Sequence, residues 1–157
     1  MGGWKLPPKS KIYEALTALA DGRVKLKGDD TAEVLSSDGT KTYTVEWSSD
    51  LGKITSNDNG SYWQRYIGYP IIAVLMALGK LDFDETVAQA LSGIAWKKVN
   101  RKFRNDYDKA VESVLMNLDW GSGLRQRVIS EVDRIFGQIE KLELKALPRR
   151  RRPPKGS

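Results

Sequence analysis

The chain contains no cysteine. Disulfides, thiolate nucleophiles and cysteine-based zinc sites are therefore excluded together, and the composition suits a reducing compartment. It contains no histidine either. A Ser-His-Asp triad cannot be built, and the usual proton-transfer group near neutral pH and the commonest transition-metal ligand are missing. A long hydrophobic run is also absent. The most apolar stretch, Tyr69 to Gly79, covers about ten residues, half of what a bilayer-spanning helix needs. The amino terminus lacks an apolar signal core, and Leu6 stands where a myristoylation signal wants Ser or Thr. These absences lead to the expectation of a soluble cytoplasmic protein without catalysis, metal or cofactor.

What is present is enough to fold: 157 residues, 40% of them hydrophobic, with five Trp. Tyr69 to Gly79 is apolar on every helical face, so it belongs inside a core, with Pro70 in its first turn and Gly79 as its stop. Around it the sequence predicts an α+β fold in a single domain over residues 10–146. Residues 1–9 form an irregular lead-in. Ser10 caps a helix over 10–21 whose Ile12, Leu16 and Leu19 share a face. Period-two alternation then marks a meander of three or four antiparallel strands over 23–56, with Asp38-Gly39 suggesting a type I′ hairpin turn. Asn57 to Gly60 reads as a turn, although it also carries a sequon and part of a calcium-loop pattern without the closing Glu. A short helical turn or aromatic bridge over 61–66 leads into the central helix. Further helices are expected over about 83–91, 94–104, 106–118 and 124–145, with a break at Gly121-Ser122-Gly123. Asp82 or Asp84 caps the first of these; with Glu85 they could also hold a Mg²⁺ ion, but capping explains them without metal. Residues 147–157 read as a disordered basic tail.

Residues 43–75 resemble the SWIM zinc-finger module in outline. The runs GKITSND and SYWQRYIGYPIIAVLM keep that family's order of strand, turn, aromatic loop and apolar helix. The metal positions would fall near Ile54, Ser56, Gly68 and Pro70, and none is a ligand. The resemblance implies a metal-free relative whose hairpin packs on a helix.

Charge is unevenly placed. Of 26 Lys and Arg, five lie within 97–104 and six from Lys145 onward, with no acid in either segment. The other 15 face all 20 acids, a balance of about −5 for the rest of the chain. On a helical wheel Trp96, Val99 and Phe103 share one face of the 94–104 helix. Lys97, Lys98, Arg101 and Arg104 occupy the other, with Lys102 at its edge. A one-signed stripe suits phosphate oxygens, because neutralising each phosphate releases counterions. Arg149, Arg150, Arg151 and Arg152 form a second basic element, suited to bidentate phosphate pairing. The expected partner is nucleic acid, RNA or a ribonucleoprotein ahead of duplex DNA; a solvated face or an acidic protein partner are the alternatives. The cluster Tyr62, Trp63, Tyr66 and Tyr69, with Arg65 beside it, could stack bases or grip a protein, but the expectation favours Trp63 and one Tyr in the core. No feature reads base sequence or fixes the oligomeric state.

Overall fold

A computed structural model gives the structure of the protein and describes residues 3–118, 123–148 and 151–155. The fold is α+β. Helix α1 spans Ser10–Ala20, followed by strands β1 (Val24–Leu26), β2 (Thr31–Leu35), β3 (Thr42–Trp47) and β4 (Lys53–Ser56). A π-helical turn, Gly60–Gln64, leads to α2 (Tyr69–Ala77), α3 (Glu85–Ala90), α4 (Trp96–Lys102), α5 (Tyr107–Met116) and α6 (Leu124–Glu140). A last strand, β5 (Lys145–Ala146), completes a five-stranded sheet in the order β1-β2-β3-β4-β5.

The first four strands form the expected antiparallel meander, in a register that places Ala32, Val34, Val45 and Ile54 on the buried face. β5 departs from that pattern by running parallel to β4. A parallel neighbour requires a crossover, and here the whole helical half of the chain supplies it. The hairpin β3–β4 packs on α2, whose residues Pro70 to Met76 are all buried. Gly79, at φ +78°, closes α2 as expected; its N–H and that of Lys80 reach back to the carbonyls of Met76 and Leu75.

Several boundaries differ from the sequence reading. Ser10 does not cap α1: Lys9 occupies that position, and the Ser10 hydroxyl is buried within the first turn. The β2–β3 loop is six residues long, with Gly39 but not Asp38 at positive φ, so it is not a type I′ turn. α4 is shorter than 94–104 and α6 stops at Glu140 rather than 145. After α6 the pattern changes to Leu142, Leu144 and Ala146 at alternate positions, a strand period that the chain follows into β5. The described part of the basic tail lies along the outer face of the sheet. Arg151 pairs with Glu46 at 2.8 Å, Asn57 donates to the Arg152 carbonyl at 3.2 Å, and the Lys41 ammonium contacts the Lys155 carbonyl. The expectation of a disordered tail missed Glu46, a carboxylate on the sheet that this segment covers. Gly121 and Ser122 of the expected break lie outside the described residues.

The lead-in is also held. Lys5 bridges to Tyr66 in parallel and Gly3 bridges to Lys145.

α1 is buried along its whole length from Ser10 to Ala18, which gives the core a second helix as enclosed as α2. Thr17 on this helix joins the halves of the fold. Its hydroxyl donates to the Leu91 carbonyl at 2.8 Å and accepts from the Trp96 indole N–H at 2.8 Å. Thr17→Val keeps the shape but strands two buried polar groups. Each orphaned group costs about 1–3 kcal/mol, so we expect a loss of about 2–4 kcal/mol in urea unfolding; a change below about 0.5 kcal/mol would show that the bridge carries no weight.

Candidate functional site

The basic helix is held in place by its first turn. Trp96 is buried against Tyr13, with ring centroids 6.1 Å apart, and its indole is fixed by Thr17. The Lys97 N–H donates to the Ser37 hydroxyl at 2.9 Å, which ties the helix to the β2–β3 loop. Asn100 is buried beside Trp96, while Val99 and Phe103 are half-buried. The helix is followed by two consecutive left-handed residues, Arg104 at φ +53° and Asn105 at φ +63°. Asn accepts that region readily, whereas Arg pays some strain there.

The five cations of this segment do not stay together. Lys97 leans onto the loop, 3.4 Å from the Asp38 carboxylate, and is half-buried. Asp38 is itself held below the usual carboxylate range by hydrogen bonds from Thr40 and then Ser36, with Lys97 adding to the effect. Lys98, Arg101, Lys102 and Arg104 are exposed, and no carboxylate among the described residues lies within ion-pair distance of any of them. In the second basic element, Arg151 is engaged by Glu46 and Arg152 is exposed, while Arg149 and Arg150 lie outside the described residues.

The aromatic cluster divides differently from expectation. Trp63 is 65% exposed, not core, and meets Tyr62 edge-on at 4.6 Å. The reason is the π-helical turn, which ends in left-handed Arg65 and projects Trp63 outward. Arg65 lies over Trp4 at 5.1 Å rather than over Trp63. Tyr66 and Tyr69 turn inward and line a cleft.

That cleft, about 380 Å³, opens between α1, α4, the β2–β3 loop and the turn after β4. Its size falls within the roughly 300–1,000 Å³ range of small-ligand sites. Arg101 and Lys97 stand at its α4 side, so the cleft and the basic helix share an edge. Inside lies the ion pair Lys11–Glu14, at 2.9 Å and nearly enclosed, with the Lys11 ammonium 4.0 Å from the centre of the Tyr107 ring. Burial works against the Lys11 charge, but Glu14, Tyr66 and Tyr107 together outweigh it, and the ammonium is held above the ordinary lysine range. Burial pushes the Tyr66 hydroxyl up to about 12 against the pull of Lys11. Both groups have raised folded-state values, so their contribution to stability is complete near neutrality and is lost as alkaline pH rises through them.

Asp58 shows why the Asn57 to Gly60 turn is built as it is. Its buried carboxylate accepts from Ser56 at 2.5 Å and from the Ser61 N–H at 3.1 Å. Gly68 packs so closely that an added Cβ would sit 2.2 Å from Asp58 Oδ2. The positions where the SWIM pattern puts ligands thus carry a hydrogen-bonded serine and a glycine pressed onto a carboxylate. Asp84 caps α3, accepting from the Thr86 N–H at 2.8 Å, and also pairs with Arg127 at 2.7 Å; Asp82 pairs with Arg134 at 3.1 Å. Among the described residues no group of three or more acids is arranged to hold a metal ion, and no helix is long and apolar enough to cross a membrane.

The sequence reading missed the cleft's interior. A signal existed: Asn100 falls on the same wheel face as Trp96 and Phe103, and Lys11 and Glu14 interrupt an otherwise apolar helix. With fold and site in view, the chain is an α+β protein carrying a basic helix beside a polar, aromatic-walled cleft. It belongs to the family described as uncharacterised conserved protein UCP014422, whose model matches residues 4–145. No curated protein and no solved structure matches it.

Breaking the buried pair tests how the cleft floor is held. Lys11→Met should cost about 3–5 kcal/mol by leaving Glu14 unpaired. Lys11→Met/Glu14→Met should recover most of that loss in thermal unfolding. A single variant as stable as the parent would mean that water reaches the pair.

Proposed function

We propose that this protein is a non-catalytic, cytoplasmic nucleic-acid-associated protein that docks on phosphate backbone through the exposed cations of α4 and its C-terminal turn. Single-stranded RNA or a ribonucleoprotein is favoured over duplex DNA. The observation that carries the reading is the contrast within one helix. Lys97 is neutralised by Asp38, whereas Lys98, Arg101, Lys102 and Arg104 are left exposed without an acidic partner among the described residues. A purely solvated face gains nothing from such segregation, since mixed signs are less self-repelling. Arg152 is a candidate second contact; Arg151 would have to leave Glu46 to join it.

The test is binding of single-stranded RNA across a salt series. Each phosphate neutralised contributes about 0.7 to the slope of log affinity against log salt, so three or four contacts predict a slope of about −2 to −3. Lys98→Glu/Lys102→Glu/Arg104→Glu should flatten the slope and weaken binding by at least about tenfold. Unchanged affinity in the triple variant would overturn the reading.

A second reading rests on Trp63. An indole this exposed, stacked edge-on against Tyr62, fits a hot spot for a protein partner. A pulldown that is insensitive to salt but abolished by Trp63→Ala would favour it, and one that survives Trp63→Ala would eliminate it.

A further inference from the structure

We infer that the cleft between α1 and α4 binds a nucleoside monophosphate unit, either as a free nucleotide or as the phosphorylated end of a strand. This goes beyond docking on α4 and does not require it, because Lys98 and Lys102 do not line the cleft.

What the cleft can accept depends on which of its polar groups already have partners. Both acids of the cleft are satisfied: Glu14 by the Lys11 ammonium, and Asp58 by Ser56 and Ser61. Of the cations, Lys11, Lys97 and Arg23 are paired with Glu14, Asp38 and Asp21. Arg101 has no carboxylate partner among the described residues. Arg23, whose side chain is 9% exposed, donates through Nη1 to the Leu35 carbonyl, and its buried Nε lies 3.7 Å from Asp21 Oδ2, close enough to pair the charges but too far for a hydrogen bond. A cleft whose carboxylates are saturated and whose edge carries the unpaired Arg101 guanidinium selects an anion, and guanidinium geometry suits phosphate oxygens.

The rest of the wall asks for more than an anion. Tyr66 and Tyr69 give it an aromatic lining, with burial holding both hydroxyls above the ordinary tyrosine range, while the Tyr107 ring already carries the Lys11 ammonium. Asn100 lines the same wall, is 7% exposed, and its Oδ1 accepts no hydrogen bond. Buried polar atoms are rarely left unpaired, so an orphaned acceptor beside spare donors marks an incomplete arrangement. A planar ring with an N–H or hydroxyl donor, carried on a phosphate monoester, completes both sides at once. The phosphate would sit at Arg101, at the edge shared with α4, and the ring would lie among the tyrosines.

The test titrates the full chain with nucleoside 5′-monophosphates and, separately, with inorganic phosphate by calorimetry. We expect the nucleotide to bind at least about tenfold more tightly than phosphate, since ring and anion contacts add. Arg101→Ala and Asn100→Asp should each weaken nucleotide binding by at least about fivefold, the first by removing the phosphate donor and the second by placing a carboxylate at the ring. Lys98→Glu/Lys102→Glu should leave nucleotide binding within about twofold while lowering RNA affinity, which separates failure of the cleft from failure of backbone docking. A short RNA bearing a 5′-phosphate that binds more tightly than its 5′-hydroxyl counterpart assigns the site to strand ends; equal binding of the two, with nucleotide still bound, assigns it to free nucleotide. Should Asn100→Asp fail to fold, exposed Arg101→Ala decides alone. Nucleotide that binds no better than phosphate, or binding unmoved by Arg101→Ala, overturns the inference.

Discussion

The placement of α4 and of the cleft beside it depends on one buried hydroxyl. Thr17 stands on a helix with no exposed turn until its last residues, and it holds the Leu91 carbonyl and the Trp96 indole simultaneously. Each of those groups would be costly to bury alone. Joined through Thr17, they fix the end of α3 and the start of α4 against α1. The orientation of α4 follows: Trp96 and Asn100 inward, Lys98, Arg101 and Lys102 outward, and Lys97 against the hairpin loop. The cleft is the space left where α4 meets α1 at that angle.

Charge is distributed by the same logic of partners. Acids of the fold are spent on particular cations: Asp38 on Lys97, Glu46 on Arg151, Asp84 on Arg127, and Asp82 with Glu131 on Arg134. The enclosed pair Lys11–Glu14 needs its counterpart because an unpaired buried charge is expensive. Lys98, Arg101, Lys102 and Arg104, on one short helix and the turn after it, have no such partner among the described residues, as is also true of scattered exposed lysines such as Lys25, Lys80 and Lys141. Exposed pairs contribute little to stability, so leaving these residues without acids costs the fold almost nothing and keeps a positive surface available.

Local signals in the sequence were good guides where local physics decides. The unbroken apolar run of Tyr69 to Gly79 is the buried α2, Gly79 ends it with a left-handed residue, and Asp84 caps α3 through Thr86. The alternating strands of the meander fall in the expected places. Misreadings occur where a distant partner decides. The tail is held by Glu46, 105 residues away from Arg151 in sequence, and β5 finds its place only because β4 offers an edge. Trp63 is exposed because the turn before Arg65 is π-helical, which composition does not announce. The cleft was hidden for the same reason. Lys11 and Asn100 stand out only as polar residues on apolar helix faces, Arg23 not at all, and only tertiary contact shows which of their polar atoms are paired and which are left over.

The most direct measurement is hydrogen–deuterium exchange of the full chain with and without single-stranded RNA at low salt. The account predicts that protection on binding centres on residues 96–105 and extends to the β2–β3 loop that Lys97 contacts. Protection confined to residues 60–66 around Trp63, or to the segment along β3 that carries Arg151 and Arg152, with 96–105 unchanged, would contradict the claim that α4 is the contact surface.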